Sequence, residues 1–393
     1  MLNLNRLRAD TPGCDQLIHL NNAGASLVPA VVLATVNHHQ QREIELGGYE
    51  AGNAAQHVMT AVYASVARLL NAEPDEIALV DNATRAWDML FYAQAFKPGD
   101  VVLTSRSEYA SNYLPYLQLK RRCAIEIQVL PNDAQGQVSL SALQSRLQRP
   151  GVKLVSLPMI ASNGGALQPV HAIGALCRAA GVLFLLDACQ AVGQVPLDVK
   201  AIGCHMLTGT SRKYLRGPRG VGFLYVEQAL CQHLEPPFLD LHAATLTGAD
   251  TFEIRSDARR FESWECNVAA RLGFGAAVDY ALACGVDHLW ARIQYLAGYL
   301  RDQLALMPGV QCQDSGHPLT GLVTFSSDRY PPAELKRHLA RQPQRINVSV
   351  ANAGSTWLDM QARGFDELVR ASVHAYNTEA ELDVLVQALA AHG

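Results

Sequence analysis

Lys213 stands in a polar stretch, residues 208–225, where the hydroxyls of Thr208, Thr210 and Ser211 and four glycines (Gly209, Gly217, Gly220, Gly222) surround one lysine before an apolar run begins. An amine there can form an imine with a carbonyl, and the glycines let the backbone come close to a ligand. Asp187 lies 26 positions earlier, at the end of the apolar run Val182–Leu186. A carboxylate at the end of a buried strand can face a ring nitrogen and keep it protonated. An imine-forming lysine and a ring-facing carboxylate are together what pyridoxal phosphate needs to act as an electron sink. Each residue also has a plainer reading. A lone loop lysine is ordinarily a solvated charge, and a strand-end aspartate ordinarily serves a turn.

Three further segments carry groups that fit such a site. Asn82-Ala83-Thr84 follows an apolar run and opens a helical pattern. Free N–H groups at a helix start together with a hydroxyl make an anion site, and an N-cap role for Asn82 or Thr84 is compatible with that. Glu108-Tyr109-Ala-Ser-Asn112 follows another apolar run, and Tyr109 is either a ring that stacks on a flat cofactor or a loop-packing residue. Arg370 lies in the apolar stretch Leu368–Val373. Its desolvation calls for a partner, which a substrate carboxylate or an internal Asp or Glu would supply. Gln190, three residues after Asp187, can reach a phenolate oxygen.

The elements that must position these groups are legible as alternating strands and helices. Strands are expected at Ile77–Asp81, Val101–Thr104, Ile125–Leu130, Leu154–Leu157, Val182–Asp187 and Val221–Val226. Helical patterns occupy Thr84–Ala95, Asn112–Arg122, Ser139–Leu147 and Val170–Ala180. Near-continuous apolar strands alternating with helices predict an α/β fold with a mainly parallel sheet covered on both faces, and ligands on such sheets sit at the strands' carboxyl ends. From about residue 267 the pattern changes. The helices Asn267–Ala283 and Val286–Met307 precede the apolar runs Leu322–Phe325, Ile346–Val350 and Leu368–Val373 and a last helix Thr378–Ala391. This predicts a large domain over 15–266 and a small α+β domain over 267–393, with residues 1–14 packed on either.

Composition narrows the function classes. The chain has 393 residues, 49% hydrophobic and 17% charged, with a net charge of −4, so no basic field is available for nucleic acid. No apolar run reaches the length of a membrane span, and residues 1–10 hold no apolar signal core, so a cytoplasmic protein is expected. The nine cysteines include no Cys-x-x-Cys pair, which suits reduced thiols better than disulfides or zinc. The adjacent His38 and His39 on a helix point in different directions, so no metal site is expected there.

Taken in order, these residues resemble the class V aminotransferase group of fold-type I pyridoxal phosphate enzymes, especially the cysteine desulfurase, isopenicillin N epimerase and C–S lyase branch. The resemblance runs from residues 20–26 to Arg370 and beyond. It implies a seven-stranded-type sheet in the large domain and a homodimer. It also implies that Lys213 forms the imine, Asp187 faces the pyridine nitrogen, and Gln190 and Asn163 lie near the phenolic oxygen. Tyr109 would stand where desulfurases stack a histidine. Ala83, Thr84, Thr210 and Arg212 would hold the phosphate. Arg370, with Asn22, would meet an amino acid substrate. Side chains around Asn22, Tyr113, Trp264 and Trp357 would shape the substrate pocket.

Two departures from the family pattern matter. The stretch 346–369, where desulfurases carry a nucleophilic cysteine, has none. Glu265 stands where relatives often have a phosphate-binding threonine, and its charge would repel phosphate. The resulting expectation is a reaction through an external aldimine and a quinonoid, ending in β-elimination of the C–S lyase type without a persulfide cysteine. Epimerisation of the isopenicillin N type and transamination are the alternatives.

Overall fold

The computed structural model describes residues 2–314 and 316–391. Its centre is a seven-stranded sheet. The strands are β1 (Ile77–Val80), β2 (Val101–Ser105), β3 (Glu126–Leu130), β4 (Val152–Pro158), β5 (Leu183–Asp187), β6 (Met206–Thr210) and β7 (Gly222–Val226). Their spatial order is β1-β7-β6-β5-β4-β2-β3. All neighbours pair parallel except β7, which runs antiparallel to both β1 and β6.

The sheet is buried on both faces because its strands are apolar at successive positions. Ile77 and Leu79 pack into one core with Val155, Phe184, Leu186 and Phe223. Their neighbours Ala78 and Val80 pack into another with Leu154, Leu185, Met206 and Leu224. Alternate residues of one strand therefore feed two cores, as the period of two requires.

Strand β6 is an element of this sheet that the sequence pattern did not show. Thr208, Gly209 and Thr210 read as part of a polar loop, yet the strand they end is buried throughout between β5 and β7. The helices fall close to expectation: Ala83–Tyr92, Ala110–Cys123, Leu140–Leu147 and Val170–Ala180. Local capping explains their starts. Asn82 Oδ1 accepts from Arg85 N at 2.9 Å, and Ser139 Oγ accepts from Ala142 N at 3.3 Å.

A second sheet contains β8 (Val310–Cys312), β9 (Leu322–Ser327), β10 (Ser349–Asn352) and β11 (Glu367–Ser372), in the antiparallel order β8-β9-β11-β10. The expected run Ile346–Val350 is divided: Ile346 and Asn347 pair parallel with Ile18 and His19, and β10 starts at Ser349. Helices Val286–Ala305 and Glu379–Ala391 supply Leu296, Leu300, Leu382 and Leu385 to the core beneath this sheet. The chain's opening joins the same region through Arg8, which donates to Tyr376 O at 2.8 Å and pairs with Glu381 at 2.7 Å. Helix Val268–Cys284 packs mainly against helices Ala30–Leu46 and Gln56–Leu70. Among the described residues, no single helix is long and apolar enough to cross a membrane, and no cluster of His, Cys, Asp and Glu could hold a metal ion.

Candidate active site

The carboxyl ends of five sheet strands and the loops after them converge on one cavity. Its wall includes Asn82, Ala83 and Thr84 after β1, Tyr109 and Asn112 after β2, Pro158, Ile160 and Ser162 from β4 onward, and Asp187, Cys189 and Gln190 after β5. Thr210, Arg212 and Lys213 after β6 complete it. This is where an open α/β sheet binds ligands.

The turn carrying Lys213 is held by its neighbour Arg216. Arg216 adopts a left-handed backbone, φ 62°, which closes the turn through Arg216 N to Lys213 O at 2.9 Å. A non-glycine residue tolerates that region only when its surroundings hold it there. The Arg216 guanidinium does so, donating to Leu27 O at 2.9 Å and to Thr11 Oγ1 while lying over the rings of Tyr376 and Tyr280. Lys213 is buried, and among the described residues its amine has no hydrogen-bond or ion-pair partner. Burial lowers its pKa to about 8, with Cys189 and Asp187 opposing the fall and Arg212 and Arg370 adding to it. An amine so placed is readily neutral and nucleophilic.

Both oxygens of Asp187 accept hydrogen bonds from the protein. Oδ1 accepts from Cys189 N at 2.9 Å, and Oδ2 accepts from Asn112 Nδ2 at 3.0 Å. Each oxygen keeps acceptor capacity toward the cavity. Gln190 donates to Ala23 O at 3.2 Å, while its Oε1 is buried without a partner among the described residues. At the start of helix Ala83–Tyr92 the N–H groups of Ala83 and Thr84 have no acceptor among the described residues. Gly222 of β7 runs directly beneath this turn. A Cβ there would lie 2.4 Å from Asn82 C and 2.6 Å from Ala83 N, so only glycine lets β7 pass.

Arg370, on β11, reaches the edge of this region. It donates to Ser162 O at 2.7 Å and lies 3.5 Å from Asn21 Oδ1, and its Nε is buried without a partner among the described residues. Among the described residues no carboxylate forms an ion pair with it, so the internal salt bridge that the sequence left open is not what satisfies it. Arg212 donates to Gly24 O, tying the lysine turn to the chain's opening segment.

Two sequence-selected residues are placed away from the cavity wall. Asn22 donates to Ser372 O at 2.7 Å and accepts from Tyr376 Oη, so its amide is spent on joining the opening segment to β11. Asn163 is buried and donates to Asn352 O at 2.8 Å, clasping the start of β10's following turn. Glu265 is exposed and borders a separate surface groove with Tyr49 and Trp264, apart from the Ala83–Thr84 turn. Conversely, Asn112 lines the cavity, a place the sequence assigns within this segment only to Tyr109, three positions earlier. A polar side chain in the first turn of a helix that follows a buried strand is the signal that could have marked it.

These residues fit pyridoxal phosphate. They offer an unpartnered lysine amine, a carboxylate facing inward, an orphaned acceptor at Gln190, and a helix start with free N–H groups. The comparisons with known proteins agree. The sequence signature of the Aminotransferase class-V family matches residues 18–385, and the chain belongs to that family. A "Probable cysteine desulfurase" of Methanothermobacter thermautotrophicus is 25% identical over 399 residues, covering 98% of this chain and 96% of that protein. A "Probable hercynylcysteine sulfoxide lyase" of Mycobacterium tuberculosis is 30% identical over 377 residues, covering 95% of this chain and 90% of that protein. The solved structure of a C-DES variant with glycine covalently linked to its PLP cofactor superimposes with a TM-score of 0.87 at 23% identity, covering 98% of each chain. The protein has the fold-type I architecture and is a pyridoxal phosphate-dependent class V enzyme.

Proposed function

We propose that this enzyme catalyses β-elimination from a β-substituted amino acid, of the C–S lyase type, without passing sulfur to a protein cysteine. The observation that carries this reading is the distribution of thiols. No cysteine occurs between Ile346 and Val369. The thiol in the cavity wall, Cys189, is pushed well above its usual pKa by burial and then by Asp187. A thiol kept protonated is a poor nucleophile toward sulfur. The 30% identity to a protein named as a sulfoxide lyase supports the same reading.

Bound pyridoxal phosphate supplies an electron sink for the bond broken at Cα. The chain's own residues do the rest. Lys213 would hold the cofactor through its amine, and as a free base that amine would take the proton from Cα; a pKa near 8 suits it to that exchange. Asp187 would keep the ring nitrogen protonated. Thr84, Ala83, Thr210 and Arg212 would hold the phosphate, Gln190 would bond the phenolic oxygen, and Tyr109 would cover the ring. Arg370 binds the substrate carboxylate and orients the Cα–H bond. The Cβ–S bond then breaks, sulfur leaves with the electron pair, and the released 2-aminoacrylate takes up water to give pyruvate and ammonia. No oxidant or reductant is required.

We also propose a homodimer. Tyr49, Phe238, Leu241, Leu246, Phe252 and Trp264 are large apolar side chains left exposed, and Tyr49 and Trp264 pack together with ring centroids 5.8 Å apart. A set of this kind marks an interface. The nine free cysteines fit a reducing compartment, and a cytoplasmic location is proposed on that basis.

A panel of L-amino acids incubated with the holoenzyme in deuterated water tests the reaction. Pyruvate with release of a free thiol, sulfide or sulfur acid supports elimination. Trapping a persulfide on any cysteine during turnover overturns it. Inversion at Cα without pyruvate would make the enzyme an epimerase, and keto-acid formation a transaminase.

A further inference from the structure

Behind Asp187 lies a second carboxylate that the mechanism above does not use. Glu108, in the loop after β2, is buried. Its Oε1 accepts from Tyr109 N at 2.9 Å and from Asn112 Nδ2 at 3.0 Å. Its Oε2 accepts from Thr104 Oγ1 at 2.8 Å and from Tyr116 Oη at 3.0 Å. The same Asn112 Nδ2 donates to Asp187 Oδ2 at 3.0 Å. One amide nitrogen thus spends both of its protons on two carboxylates. Turned over, it would set its carbonyl oxygen against both, so its orientation is fixed.

We propose that Glu108 is a positioning residue which, through Asn112, sets how strongly Asp187 demands a cationic partner in the cavity, and so makes the grip on the protonated cofactor ring depend on pH. An ionised Glu108 shares the Asn112 amide with Asp187 and adds a second negative charge behind it. The pair is then best neutralised by a positive charge in front, which the ring N–H⁺ of bound cofactor would supply. A protonated Glu108 removes that charge and leaves Asp187 better satisfied without the cofactor. Geometry makes the switch feasible near neutrality. Four donors converge on Glu108 and favour its ionised form, yet burial pushes it up to about 7, with Asp187 adding to the rise. The groups facing the pair are Tyr116 on the helix, Tyr109 in the loop, and Cys189 and Lys213 across Asp187. Lys213 also titrates near this range, so the decisive quantity is a difference between variants. The inference concerns the ring nitrogen alone and does not depend on which substrate bond is broken.

The test is the dissociation constant of pyridoxal phosphate for full-length wild type, Glu108→Gln and Thr104→Val, measured from pH 6 to 8.5 by titration of the apoenzyme. The ¹⁵N shift of the ring nitrogen in the reconstituted enzyme is followed over the same range. The Glu108→Gln to wild-type ratio of dissociation constants should be close to one at pH 6 and rise to about tenfold at pH 8.5, one unit of ring pKa being tenfold. Thr104→Val removes a donor from the ionised form without touching the cavity, and should move the wild-type step to higher pH. A Glu108→Gln ratio that is the same at both pH values would reduce Glu108 to a structural residue and overturn the proposal. If Glu108→Gln does not fold, an unmoved step in Thr104→Val overturns it equally.

Discussion

Replacing Gly222 with alanine should break the phosphate end of the site while leaving every proposed catalytic side chain in place. Gly222 pairs with Val80 on one side and Thr210 on the other, so β7 holds it firmly between two strands. A Cβ at 2.4 Å from Asn82 C and 2.6 Å from Ala83 N meets backbone on the far side, not a side chain that can swing away. Ordinary contact needs about 3.4 Å or more, so the helix start must retreat by roughly 1 Å. Overpacking of this kind costs about 1–3 kcal/mol of stability, and a displacement of about 1 Å at a reacting site can cost on the order of a hundredfold in rate. The expected result is a folded Gly222→Ala protein with a modestly lower unfolding midpoint and at least about tenfold weaker binding of pyridoxal phosphate, read by absorbance titration. Gly298→Ala is the control. It lies inside helix Val286–Ala305, where a Cβ meets nothing within 4 Å, and alanine there should stabilise by up to about 1 kcal/mol without changing cofactor binding. Wild-type affinity in Gly222→Ala would refute the assignment of the Ala83–Thr84 turn as the phosphate cradle.

Other outcomes follow from the same structure. Lys213→Ala should fold but lose the borohydride-reducible bond to the cofactor, which mass spectrometry of the reduced protein reads directly. Arg370→Ala should raise KM and lower kcat together, with kcat/KM falling about ten- to hundredfold, because a charge-assisted hydrogen-bonded pair is lost; an effect on kcat alone would remove it from substrate binding. His374 is buried, accepting from Ala375 N at 2.8 Å and facing Tyr214 O at 3.1 Å, and burial lowers its pKa to about 3. Its folded value lies below the unfolded 6.5, so the unfolded state binds the proton first and stability falls as pH drops below 6.5, by about 3 kcal/mol at pH 4. His374→Phe should flatten that part of the stability–pH curve, measured by urea unfolding. If the exposed apolar set around Phe238, Leu241 and Leu246 is the subunit interface, Leu241→Arg should shift the protein from dimer to monomer in light scattering.

The chemistry was legible in the sequence because it is carried by residue type next to local pattern. An aspartate ending an apolar strand, a lysine among hydroxyls and glycines, and an asparagine before a helix each announce their setting within a few positions. The two-sided burial of the sheet was likewise written in continuous apolar runs. Strand β6 escaped because its threonines and glycine look polar in isolation. Only its place between β5 and β7 buries them, and a Cβ on Gly209 would sit 2.3 Å from the Phe223 ring. What tertiary structure alone decided is which polar group answers which. The amide that joins Asp187 to Glu108 comes from a helix 75 positions away in the chain. Among the described residues Arg370 pairs with no carboxylate, and the amide nitrogens of Asn22 and Asn163 turn to backbone carbonyls on the second sheet instead of the cavity. Sequence periodicity fixes which face a side chain takes, but the partner that satisfies a buried polar group is chosen by packing between elements far apart in the chain, where burial makes an unmet hydrogen bond costly.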